Sequence, residues 1–171
     1  VVAEGRARPA RKASVAVVLQ APTTARPRPA RSSVEGWVVA ALAGARSRVA
    51  GTVTVRLVDT REGRAYNEGY RGRTGPTNVL AFTGPAPASL PAGEQAELGD
   101  IVICMPVVIR EARAQGKRSR DHLAHLVVHG TLHLLGYDHE RAADARVMEA
   151  LETRVLARLG LPDPYAAEHV E

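Results

Sequence analysis

The sequence predicts an α+β domain: a small mixed sheet of about four strands with helices packed mainly on one face. Three observations carry that expectation. Four stretches have strand length and composition: Val15 to Leu19, Gly51 to Asp59, Thr77 to Phe82 and Gly99 to Met105. They alternate unevenly with helical stretches, of which the last, MEALETRVLARL, carries apolar residues at the spacing of a core-packing face. The length of 171 residues and a hydrophobic content of 45% suit one domain with a sizeable core, and no internal repeat divides it.

In chain order, residues 1–14 read as a basic, disordered leader, 15–165 as the single domain and 166–171 as a tail. VAVVL is a short apolar strand, followed by a Pro/Thr/Arg-rich loop through Arg31. Ser33, with Glu35 just inside and WVVAALAGA following, predicts a capped amphipathic helix to about Arg48, with Trp37 in its packing. GTVTVRLVD alternates Val and Leu with Thr and Arg, the period of a half-buried strand. Polar Arg61 to Gly69 forms a short helix, TNVLAF the third strand and GDIVICM the fourth. Between the last two, GPAPASLPAGEQAELG is a long loop hanging over a sheet edge. Cys104 reads as a buried small hydrophobe. Helices follow from Val107 to Gly116, from about Arg120 through the histidines, and from Ala142 to Leu159.

The chemistry concentrates in Asp121 to His139, DHLAHLVVHGTLHLLGYDH, which holds every histidine except His169. His129 and His133 are four apart in an apolar, proline-free stretch, so a helix puts both rings on one face, about 6 Å apart along the axis. His125 continues the row but lies about 12 Å along the axis from His133, so a third ligand must come from beyond the helix. Gly136 can take the left-handed conformation that ends a helix and returns His139 to the other two. H-x-x-x-H-x-x-G-x-x-H supplies three imidazoles and an open fourth position, the coordination of a catalytic zinc site. One zinc per chain is the expectation, although other divalent metals such as nickel and copper also accept imidazole. The cage resembles that of metzincins, H-E-x-x-H-x-x-G-x-x-H, but Gly130 replaces their catalytic glutamate.

The wording HGTLHLLGYDH is similar to that of the YbeY endoribonucleases. YRGRTGPTNVLAF (Tyr70 to Phe82), LGDIVIC (Leu98 to Cys104) and MEALETRVLARLGLPDPY (Met148 to Tyr165) extend the resemblance over residues 50–165. It implies the same architecture and a metal-dependent endoribonuclease that cuts single-stranded RNA, precursor ribosomal RNA at the ribosome, in rRNA maturation and ribosome quality control. It also implies a catalytic role for Arg71, matching the arginine of the family's YR segment, as a forked cation for phosphate charge. Where the family commonly has serine before the strand-ending phenylalanine, this chain has Ala81. Around the site, Arg73 can contact neighbouring phosphates, Thr77 and Asn78 can line the cleft, His125 and Asp138 can orient a ligating histidine, and Asp100 closes a turn. Two other functions fit the same cage: a metallopeptidase-like hydrolase, which Gly130 disfavours, and a non-catalytic ribosome assembly factor with a structural metal.

Composition narrows the partners. The net charge of +5 suits a polyanion, but Arg6, Arg8, Arg11, Lys12, Arg26, Arg28 and Arg31 against Glu4 place the excess in the N-terminal region. A solvated tail and an RNA-binding arm both fit it. Aromatic residues make up 4%, too few for a ladder of stacked bases to be the main mode of RNA binding. A single cysteine excludes an intrachain disulfide and fits the cytoplasm. No apolar run nears the roughly 20 residues that span a membrane.

Overall fold

The computed structural model describes residues 14–85 and 95–166. Four strands, β1 (Val15–Gln20), β2 (Gly51–Val58), β3 (Val79–Thr83) and β4 (Glu97–Cys104), form one sheet in the order β1-β2-β4-β3. β1, β2 and β4 run parallel, whereas β3 is antiparallel to β4. The sheet is therefore mixed, as expected. Its helices are α1 (Arg31–Gly44), α2 (Thr60–Arg71), α3 (Met105–Ala114), α4 (Ser119–Leu134) and α5 (Ala142–Arg158).

Strand alternation sorts the side chains between two cores. Val17, Val53, Val55, Leu57, Ile101 and Ile103 are buried with Trp37, Val38, Val127, Leu132, Met148 and Leu156, which puts α1, α4 and α5 on one face. Val58, Leu80, Val102 and Cys104 point the other way, where Tyr66 of α2 and Phe82 cover a smaller cluster. Most helices share the first face; α2 closes on the second, near β4, where Val107 of α3 joins the cluster. Gly63 permits that approach, since a Cβ there would stand 3.0 Å from Cys104 Sγ.

Element ends shift for local reasons. Ala30, not Ser33, caps α1, and the Ser33 and Val34 N–H groups both donate to its carbonyl, so the helix starts directly after the proline-rich stretch. It stops at Gly44, where a Cβ would lie 2.4 Å from Val155 Cγ2 of α5. α2 runs on to Arg71 and ends at left-handed Gly72 (φ 61°), so Arg71 stands on a helix end rather than in a flexible loop. β3 begins at Val79 because the Asn78 side chain accepts the Val79 N–H. β4 ends at Cys104 because α3 starts at Met105, with proline in its first turn. The leader, the tail beyond Ala166 and most of the 84–99 loop lie outside the described residues.

Gly99 marks the tightest crossing near the site. Its φ is 143°, and a Cβ would stand 2.1 Å from the Phe82 carbonyl and 2.7 Å from Leu134 Cδ2. Gly99→Ala is expected to cost about 2–4 kcal/mol, from backbone strain plus the clash. Urea unfolding checks this, and an unshifted midpoint would contradict the close packing of β4 against β3 and α4.

Candidate metal centre

α4 owes its position to its apolar residues. Leu123, Ala124, Leu126, Val127, Val128 and Leu132 are all buried, which ties the helix to the core. His125, His129 and His133 then follow one another along its remaining face at i, i+4 spacing. The His129 and His133 Nε2 atoms are 3.1 Å apart. Gly136 (φ 93°) reverses the chain after α4, while the Gly136 and Tyr137 N–H groups donate to His133 O and Leu132 O. That turn brings the His139 ring to 4.9 Å from His133 and 5.5 Å from His129, centroid to centroid.

One ligand nitrogen from each of His129, His133 and His139 lies within 4.8 Å of the others. Tetrahedral ligation with bonds of about 2.0–2.1 Å separates nitrogens by roughly 3.3 Å, close to the observed His129–His133 pair. The donor set therefore fits a small divalent ion. Among the described residues, no further His, Cys, Asp or Glu joins this group. Burial, followed by the neighbouring His129 and His139, pushes His133 down to about 4, so its imidazole is neutral, with a lone pair free, near pH 7.

A carboxylate beneath the cage holds it in place. Glu152 of α5 is fully buried. His129 Nδ1 donates to Glu152 Oε1 at 2.5 Å, which leaves Nε2 with its lone pair free for a ligand role. His125 Nε2 donates to Oε2 at 2.8 Å, and the Tyr165 hydroxyl donates to the same oxygen. Burial alone would raise the Glu152 carboxyl, but the hydrogen bonds from His125 and His129 bring it down to about 2. His125 thus supports the cage through Glu152 and does not face the ion site. Glu152 was missed in the sequence, although it stands four residues after Met148 and four before Leu156, on the apolar stripe of its helix. A charge on such a stripe is the signal.

Together with the three histidines and Gly130, Arg71, Thr77, Asn78, Val79, Ala81 and Thr83 line a cleft of about 240 Å³. Asn78 is committed to the scaffold: its Nδ2 donates to Glu111 at 3.1 Å, and its Oδ1 accepts from its own strand. Glu111 also accepts from buried His122 at 2.8 Å. Asp138 accepts the His139 backbone N–H at 2.6 Å, fixing the turn rather than a ring. Arg73 is exposed and lies outside the cleft lining, while Asp100 is an exposed β4 residue opposite Phe82. Gly130 packs against β4, and a Cβ there would meet Ile101 Cγ2 at 2.7 Å, so the position of the peptidase glutamate has no room for a side chain.

A core helix ending in a three-histidine cage, backed by a buried carboxylate and faced by an arginine, defines an α+β protein of the histidine-cage class. The comparisons narrow that class. The family model described as Endoribonuclease YbeY matches residues 23–160. A protein of that name from Alkalilimnicola ehrlichii is 56% identical over 137 residues, 80% of this chain and 82% of the relative. Another, from Halorhodospira halophila, is 60% identical over 115 residues, 67% and 75% of the two chains. The chain belongs to the YbeY endoribonuclease family. The solution structure of a Thermotoga maritima protein shares the fold, with a TM-score of 0.53 at 23% identity over 88% of this chain and 98% of that one.

Glu152→Gln keeps the volume but removes the charge that orders His129 and His125. Affinity for zinc, measured by chelator competition, is expected to fall about 10- to 100-fold. Unchanged affinity would show that the cage needs no carboxylate behind it.

Proposed function

We propose that this chain is a zinc-dependent, single-strand-specific endoribonuclease that processes ribosomal RNA precursors in the cytoplasm and contributes to ribosome quality control. The observation that carries the reading is the convergence of His129, His133 and His139 in one cleft that Arg71 also lines. The name of the curated relatives supports the reaction class. A divalent ion held by His129, His133 and His139 would supply Lewis acidity toward a phosphoryl oxygen or a water of lowered pKa.

The chain's own groups do the rest. His129, His133 and His139 would hold the ion, and Glu152 fixes the tautomer of His129. Arg71 presents forked, permanently charged donors to the non-bridging oxygens, whose negative charge grows as the phosphodiester is attacked. Its placement in the last turn of α2, followed by left-handed Gly72, gives the guanidinium a firm base. Ala81 offers no hydroxyl at the cleft, and the lining hydroxyls come from Thr77 and Thr83 instead. Asn78 holds the rim of the cleft through Glu111. Arg73, exposed two residues after Arg71, would meet phosphates of the flanking strand. Among the described residues, no helix is long and apolar enough to cross a membrane.

Gly130 against Ile101 speaks against peptidase chemistry of the glutamate type. The lack of a fourth ligand-type side chain at the cage, among the described residues, speaks against a purely structural ion. The ribosome or its proteins are the partners that would present the precursor RNA.

Two substitutions separate holding the ion from clamping the phosphate. His133→Ala is expected to lose bound zinc and RNA cleavage together, because two imidazoles hold an ion poorly; full cleavage by a zinc-free variant would remove metal chemistry from the mechanism. Arg71→Ala is expected to bind zinc normally while kcat on a single-stranded rRNA fragment drops about 10²- to 10³-fold. Undiminished turnover in that variant would exclude Arg71 from the reaction.

A further inference from the structure

Tyr66, Tyr70 and Phe82 are two of the four tyrosines and the only phenylalanine of the chain, and the fold gathers all three in one place. Their centroids are 4.6 Å apart for Tyr70 and Phe82, 6.0 Å for Tyr66 and Phe82, and 6.1 Å for Tyr66 and Tyr70, whose planes differ by only 20°. Tyr66 and Phe82 are partly buried over the smaller core. Tyr70 is 70% exposed, the largest exposure among the large hydrophobic side chains of the described residues. Packing therefore employs little of the Tyr70 ring, although its neighbours hold it in place. A rigid aromatic ring with an open surface is a stacking surface.

The position of this ring relates it to the cleft. Tyr70 directly precedes Arg71, and Phe82 lies between Ala81 and Thr83; Arg71, Ala81 and Thr83 all line the cleft. β3 is an edge strand, so cleft and aromatic cluster lie on the two sides of one sheet edge, joined around it by residues 70–71. The surroundings suit a polyanion. Arg61, Arg64, Arg71 and Arg73 are exposed along α2 and just beyond it, while Glu62 is engaged by Arg56 at 2.6 Å and Glu68 is the remaining acid of the segment.

We infer that Tyr70, buttressed by Phe82 and Tyr66, is a stacking platform for the nucleobase that flanks the phosphate held at Arg71. This rests on the ribonuclease reading above. A single strand leaving the cleft crosses the β3 edge, sets one base on the Tyr70 ring and passes its next phosphates to Arg73 and Arg64. The platform explains selectivity for single strands in physical terms, because a base in a duplex is already stacked and cannot present its face. One platform is compatible with a chain poor in aromatics, since it needs one exposed ring rather than a ladder. Tyr70 acts here as a positioning residue that raises occupancy, not as a group that touches the reacting atoms.

Two measurements test this, one of which needs no cleavage. In steady-state cleavage of a single-stranded rRNA fragment by the zinc-loaded full chain, Tyr70→Ala should raise KM about tenfold with kcat nearly unchanged, and Tyr70→Phe, which keeps the ring face, should restore KM. In Tyr70→Trp, a single-stranded oligoribonucleotide of mixed sequence should quench the new indole, whereas the same sequence as a duplex should not; Trp37, 3% exposed, supplies only a constant background. Cleavage without quenching, and with an unaltered KM in Tyr70→Ala, would overturn the platform and leave the ribonuclease reading standing. Quenching by single strands without cleavage by any form would uphold the platform and overturn the ribonuclease reading. Absence of both would overturn both.

Discussion

The Glu152 carboxylate is the constraint on which the site depends. It is fully buried, and it accepts hydrogen bonds from His125, His129 and Tyr165, which joins α4, α5 and the segment after α5 at one point. An ionised carboxylate without partners would be costly in that position. With three donors it stays charged, and its charge dictates which nitrogen of His129 carries the proton. The free Nε2 then meets His133 and, through the Gly136 turn, His139. Removing the charge therefore disturbs the cage without touching any of the three rings.

The second constraint is closeness. α4 lies so near β4 that only glycine fits at position 130, against Ile101, and β4 lies so near β3 and α4 that only glycine fits at 99. These contacts hold α4 against the sheet, with Gly130 itself in the lining of the cleft. They also remove the side chain that a peptidase of similar cage would use. One packing requirement thus shapes the cleft and restricts its chemistry.

Much of this was legible in the sequence, for reasons that differ between residues. The strands followed from alternation, and the cage followed from helical spacing plus a glycine at the turn, both being local regularities. The mixed sheet with helices mainly on one face followed from the order of the elements. The resemblance carried Arg71; its place on a helix end did not follow, because left-handed Gly72 stops α2 later than the polar composition indicated. Glu152 stayed hidden because its partners are 23 and 27 residues away, and no local pattern announces a contact between two helices. The aromatic cluster was hidden for the same reason: Tyr70 and Phe82 meet only once α2 closes over the outer face of the sheet. A low aromatic count argued against stacked bases, yet where the aromatics stand matters more than their number.

The most direct test is X-ray absorption at the zinc edge of the zinc-loaded full chain, which reads the ligands themselves. Three imidazole nitrogens and one exchangeable oxygen are expected, the set that leaves a position for reaction. Four protein ligands, or a sulfur in the shell, would contradict an open catalytic site and favour an ion that only holds the histidine helix to its following turn.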